Sequence, residues 1–192
     1  MRDIDTAAIE AVRKGETRRF AEIVDRHKDR AMTLALRLLA DRREAEETVQ
    51  DGFLRAYHSL DQFRGDAKFG TWFYRILYNI CMTRVSRRRP GLTLALDQDV
   101  LLEQVPADAD EPTALEKLES DEASAVITEE MALLPEKWKL PLTLFYVQEM
   151  RYEEIASVLR IPIGTVKTNL FRGRSALKVR ILARLGEEVR AL

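Results

Sequence analysis

Apolar positions in this chain recur at helical spacing almost throughout. Phe20, Val24, His27, Ala31, Leu34 and Leu38 follow one another at alternating steps of four and three residues, which places them on one face of a helix. His27 on that stripe reads as a packed or partly buried side chain. A shorter helix precedes this one, with Asp5 or Thr6 as its N-cap and its end near Gly15. Asp41 and Glu44 have capping-box spacing and start a helix that runs through Tyr57. On it Ala45, Val49 and Ala56 face inward with Phe53 at the margin, whereas Glu47, Gln50, Asp51 and Leu54 share the outer face. A further helix begins near Thr71, carries Trp72, Phe73, Ile76 and Ile80 on one expected core side, and stops about Arg88 ahead of Pro90 and Gly91. Pro106 to Pro112 has linker composition, and helical patterning resumes between Leu115 and Val126. The expected fold is all-α: two small helical domains, 1–91 and 125–192, joined by a flexible linker over 92–124.

Composition agrees with that reading. Apolar residues make up 46% of the 192 and charged ones 33%, with only eight Gly and six Pro to interrupt helices. The net charge of −1 conceals segregation along the chain. Between Ala67 and Leu96 every charged residue is a base, and the same holds from Arg160 to Arg184. From Asp97 to Glu122 ten acids face the single base Lys117, which makes the linker strongly acidic. Cys81 is the only cysteine, so no intramolecular disulfide can form, and no Cys/His spacing suggests zinc. No metal or cofactor is expected. No apolar run approaches the roughly 20 residues needed to span a bilayer, so a cytoplasmic protein without membrane insertion of its own is the expectation.

The last third carries the sharpest chemistry. Tyr152 to Leu159, the turn Arg160-Ile161-Pro162 and the run Ile163 to Leu177 read as two helices around a tight turn, with small Ala156 allowing a close crossing. The second helix places Val166, Leu170, Gly173 and Leu177 on one side and Thr168, Phe171, Arg172, Ser175 and Lys178 on the other. That outer face suits a major groove: Arg can bond a guanine edge bidentately, Thr can touch a base edge, and Phe can pack on a thymine methyl.

These residues resemble the fourth conserved region of sigma factors, whose helix-turn-helix reads the minus-thirty-five promoter element. The resemblance extends upstream through Leu134-Pro135-Glu136, Leu140-Pro141-Leu142 and Phe145-Tyr146. It implies DNA contacts by Lys167, Thr168, Phe171 and Arg172, with Arg174 and Lys178 on phosphates. Two positions depart from the pattern. Arg151 stands where the family has a Ser or Thr N-cap, a loss of up to about 1 kcal/mol of capping, and Asn169 stands where the family often has Arg.

The first half supplies an independent match. Glu44 to Tyr57 is similar to the family's second region, which docks on the polymerase clamp, and this implies polymerase contacts by Glu47, Gln50, Asp51 and Leu54. Phe63 to Asn79, followed by Arg84 and Arg87 to Arg89, resembles the minus-ten recognition and melting region; aromatics interleaved with cations suit unpaired bases and their backbone. Phe63, Phe69 and Asn79 are the candidates for holding a flipped base, and Arg84, Arg87 and Arg88 those for phosphates. With both regions present and no room for further domains, the chain resembles the minimal, extracytoplasmic-function group. That resemblance implies core RNA polymerase and promoter DNA, both duplex and non-template single strand, as partners, and control by an anti-sigma factor.

Three other classes compete. A polymerase-independent helix-turn-helix regulator leaves the clamp-like helix unexplained. A sigma-mimicking interaction protein need not retain Arg84 to Arg89 or a basic recognition helix. An enzyme would need a Gly-rich phosphate loop, a metal cluster or a nucleophile-base pair, and the sequence offers none of these.

Overall fold

The computed structural model describes residues 3–88 and 121–190, which form eight α-helices and no strand. They belong to two compact units, described separately below. The linker expected over 92–124 lies outside the described residues up to 120. Helix α5 begins at Asp121, within the window in which the second domain was expected to start and ahead of residue 125.

In the first unit, α1 (Thr6–Arg13), α2 (Phe20–Leu39), α3 (Arg42–His58) and α4 (Phe69–Arg88) enclose one core. Helices α2, α3 and α4 pack pairwise against each other, and α1 lies against α2. Gly15 ends the first helical segment at φ +100°, a conformation that only glycine adopts at little cost. Asp41 caps α3 as its spacing predicts, its side chain accepting from the Glu44 N–H at 2.7 Å. Helix α3 turns Ala45, Thr48, Val49, Phe53 and Ala56 inward. Phe53 is therefore core and not marginal, stacked on Phe73 at 4.4 Å between ring centroids. Beside it, Gly52 lets α4 approach until a Cβ there would lie 3.2 Å from Leu77 Cδ1.

Helix α1 is pinned to this core by polar contacts as well as by buried Ala8, Ile9 and Val12. The Arg13 guanidinium donates to the carbonyls of Leu60, at 2.7 Å, and Phe63. Asp5 sits at the N-cap position, but its side chain does not cap. It is buried and instead accepts from Arg26 and from His27 Nε2, the latter at 2.8 Å. His27 is thus a packed, partnered side chain. Asp3, 66 residues earlier in the chain, accepts the Phe69 N–H and so caps the start of α4. This fixes the start of α4 at Phe69, two residues before the start expected from the sequence.

In the second unit, α5 (Asp121–Ala132) and α6 (Glu136–Tyr146) both pack on α8 (Ile163–Arg190). Along the chain, α7 (Tyr152–Leu159) leads into α8 through the turn at Arg160. Arg160 takes φ +57° to end α7, and Ile161 N–H closes the turn on the Ala156 carbonyl at 3.2 Å. Ala156, expected to allow a close crossing, is half-buried. The tight approach is at Gly173, where a Cβ would lie 2.9 Å from Leu142 Cδ1 and 3.1 Å from Trp138 Cβ. Leu142 is fully buried, so it has little room to yield. Gly173→Ala should therefore destabilise the chain by about 1–3 kcal/mol through overpacking, despite the roughly 1 kcal/mol that Ala gains over Gly in helix propensity. Denaturant unfolding measures the difference, and a stabilised variant would contradict the close contact.

Candidate polymerase and nucleic-acid surfaces

The outer face of α3 has the arrangement expected of it. Glu47, Gln50 and Leu54 are exposed, Leu54 at 59%, while the reverse of the same helix is packed. Asp51 is half-buried and pairs with Arg55 at 3.1 Å. Glu47 lies 3.3 Å from Arg43 and 3.6 Å from Arg84, so a candidate polymerase contact touches a candidate DNA contact directly.

The minus-ten candidates divide. Phe69, as the first residue of α4, is fully buried, and Phe63 is 8% exposed with its ring 5.3 Å from Trp72. Both rings pack in the core, against each other and Trp72, rather than lying open to solvent. Residues 64–68 between them are exposed, and Asn79, Trp72 and Ile76 are half-buried. Arg84 is half-buried, Arg87 and Arg88 are exposed, and Arg88 pairs with Glu44. Cys81 is buried beneath this helix, and burial pushes its thiol up to about 12, which makes it a poor nucleophile.

On α8, Val166, Leu170, Gly173 and Leu177 are buried as the helical spacing predicts. Lys167 and Lys178 are exposed, and Thr168, Phe171 and Arg172 are half-buried. Arg174 departs from expectation: it is 8% exposed, donates to the Tyr152 hydroxyl at 2.9 Å and stacks over the Phe145 ring at 5.5 Å. Its guanidinium joins α6, α7 and α8 and does not face solvent. The sequence hides this because both partners lie on other helices. Tyr152 in turn supports Lys167, whose ammonium lies 5.9 Å from the ring centroid. Asn169 is buried as well. Farther along α8, Arg180 and Arg184 pair with Glu130 and Glu129 of α5 at 2.8 and 2.7 Å, so part of the basic run is neutralised within the unit. At α7, Arg151 provides no Ser/Thr cap, but Glu154 reaches back to accept the Arg151 N–H at 2.8 Å, which is the second half of a capping box.

Comparison with known proteins decides between the competing classes. The sigma-70 region 2 family matches residues 23–90 and the sigma-70 region 4 family residues 124–177. The ECF RNA polymerase sigma factor SigW of Bacillus subtilis is 37% identical over 177 residues, covering 88% of this chain and 92% of that protein. The chain belongs to the extracytoplasmic-function sigma factors. The RNA polymerase sigma-H factor of Pseudomonas aeruginosa is 32% identical, covering 90% of this chain and 91% of its own length, and the sigma-E factor of Escherichia coli is 31% identical with 90% and 92% covered. Among solved structures, CnrH in complex with the cytosolic domain of CnrY has a TM-score of 0.65 at 23% identity, covering 94% of this chain and 99% of that one. The sigma factor RpoE of Bartonella quintana, crystallised with the anti-sigma factor NepR, has a TM-score of 0.60 at 21% identity, covering 85% and 96%. These two likenesses concern the fold. As a sigma factor the chain acts in transcription initiation with RNA polymerase and promoter DNA. No described helix is long and apolar enough to cross a membrane, and no metal-ligand cluster occurs among the described residues.

The burial of Arg174 separates it from Lys178. Arg174→Ala should cost about 1–3 kcal/mol of stability by leaving the Tyr152 hydroxyl and the space over Phe145 unfilled. Lys178→Ala should leave thermal unfolding unchanged. If Arg174→Ala unfolds like the parent and only weakens DNA binding, the guanidinium is a phosphate contact after all.

Proposed function

We propose that this sigma factor divides its work between the two units. The outer face of α3, through Glu47, Gln50, Asp51 and Leu54, docks on the polymerase clamp. The exposed 64–68 loop, Asn79 and the arginines Arg84, Arg87 and Arg88 engage the minus-ten element, first as duplex and then as the displaced non-template strand. Lys167, Thr168, Phe171 and Arg172 read the minus-thirty-five duplex from the major groove, with Lys178 on a phosphate. The phosphodiester chemistry belongs to the polymerase, and the chain itself contributes none. It acts in the cytoplasm and is held in check there by an anti-sigma factor, a reading supported by the NepR complex of its structural relative.

The observation that carries the docking reading is Leu54, 59% exposed in the middle of a polar helix face whose reverse is fully packed. A regulator acting without polymerase has no use for such a face. Leu54→Arg with Gln50→Ala should abolish run-off transcription with core polymerase while helicity and thermal stability stay within about 0.5 kcal/mol of the parent, as befits exposed positions. Unfolding of that variant would show that the face is core, and full transcription would remove it from the docking surface.

The two modes of DNA contact are separable. Arg172→Ala should remove about 1–3 kcal/mol of base discrimination at one minus-thirty-five position if it bonds a guanine bidentately. Arg87→Ala should weaken all promoters alike and reduce the salt slope by about one phosphate's worth. Holoenzyme binding to a promoter panel over a salt series reads both. Uniform loss for Arg172→Ala would assign it to the backbone.

A further inference from the structure

Helical spacing brings the last turns of α4 against the first half of α3, so that Arg84 and Arg88, one turn apart, meet Glu47 and Glu44. Between the helices lies a cleft of about 360 Å³ whose charged lining is Arg55, Arg84, Arg87 and Arg88 with Glu44 and Asp51, four guanidinium groups against two carboxylates. Arg84 Nη1 stands 3.6 Å from Glu47 Oε2, and Arg88 pairs with Glu44. A carboxylate and a phosphodiester each present two oxygens sharing one negative charge, and the guanidinium fork fits both. The two glutamates therefore stand on these arginines as phosphates would.

We propose that the α3–α4 cleft is a phosphodiester-binding site which the chain closes with its own carboxylates: Glu44 and Glu47 hold Arg88 and Arg84 in the free protein and give way to DNA backbone. This deepens the assignment of α4 to the minus-ten element and rests on it. It also adds Arg55 of α3 to the DNA surface. Exchange of one monoanion for another is close to balanced, and each glutamate has a second stabilising neighbour when its arginine leaves. Glu47 already lies 3.3 Å from Arg43 on its own helix. Glu44 occupies the first turn of α3, where the helix dipole favours negative charge. Because Glu47 also lies on the face assigned to polymerase docking, a polymerase cation engaging it would release Arg84. Docking and strand capture are then coupled through one carboxylate.

The test uses the full chain without polymerase and a fluorescent single-stranded 12-mer deoxyoligonucleotide of mixed sequence, followed by anisotropy over a salt series. Glu44→Gln with Glu47→Gln should bind about 3–10-fold more tightly than the parent, with a salt slope steeper by about 1.4 for two added phosphates. Glu47→Gln alone, at a half-exposed side chain that the fold does not need, should show part of the gain. Glu10→Gln with Glu16→Gln makes the same change in net charge at exposed positions of the same unit and should show little. In an Arg84→Ala, Arg88→Ala background the gain should vanish. An equal gain in the Glu10, Glu16 control, a gain that persists without the arginines, or no gain at all overturns the proposal. Promoter binding by holoenzyme carrying Arg84→Ala and Arg88→Ala tests the underlying assignment separately: unchanged binding there removes these arginines from the minus-ten surface, whereas reduced binding with no gain in the glutamine variants rejects the carboxylate gate alone.

Discussion

Contact between α3 and α4 at Gly52 is the constraint on which the first unit's surfaces depend. With no side chain at that position, Leu77 of α4 takes the space where a Cβ would lie 3.2 Å from its Cδ1, and the adjacent Phe53 stacks on Phe73. The separation and rotation of the two helices are then set by packed atoms. Everything on their outer sides follows: Leu54 must face out because Phe53 and Ala56 face in, and Arg84 and Arg88 must meet Glu47 and Glu44 because the helices can be no farther apart. The second unit uses the same device at Gly173, where α6 settles onto α8 and the face of α8 with Lys167 and Lys178 is left outward. In both units a glycine in a helix interior gives up propensity for proximity.

Much of this was legible in the chain. The Asp41 cap, the Gly15 stop, the turn at Arg160 to Pro162 and the inward faces of α3 and α8 all depend on interactions within four or five residues, which spacing reports directly. The errors share a cause. Phe63 and Phe69 sit among cations, a pattern that fits base stacking and an aromatic core equally well. The structure packs both rings against Trp72, and Asp3, remote in sequence, accepts the Phe69 N–H at the start of α4. Arg174 belongs to an uninterrupted basic run, but Phe145 and Tyr152 arrive from two other helices to bury it. Helix ends without glycine, at Ala40 with φ +55° and Glu149 with φ +54°, leave no mark in the sequence either.

Counting basic residues therefore overstates the nucleic-acid surface. Of the seven bases from Arg160 to Arg184, Arg174 is structural, and Arg180 and Arg184 are balanced by the acids of α5. Those that remain, exposed Arg160, Lys167 and Lys178 with half-buried Arg172, run from the turn into the middle of α8. The same internal balancing operates on α4.

The cap that Asp3 provides for α4 also has a consequence for the order in which the molecule assembles. Donor and acceptor are 66 residues apart. Asp3 has nowhere to close until α4 has been made, and the loop-closure entropy for that contact is met only when the rest of the core is in place. Replacing Asp3 by Ala would therefore act on a helix 66 residues along the chain, fraying the first turn of α4.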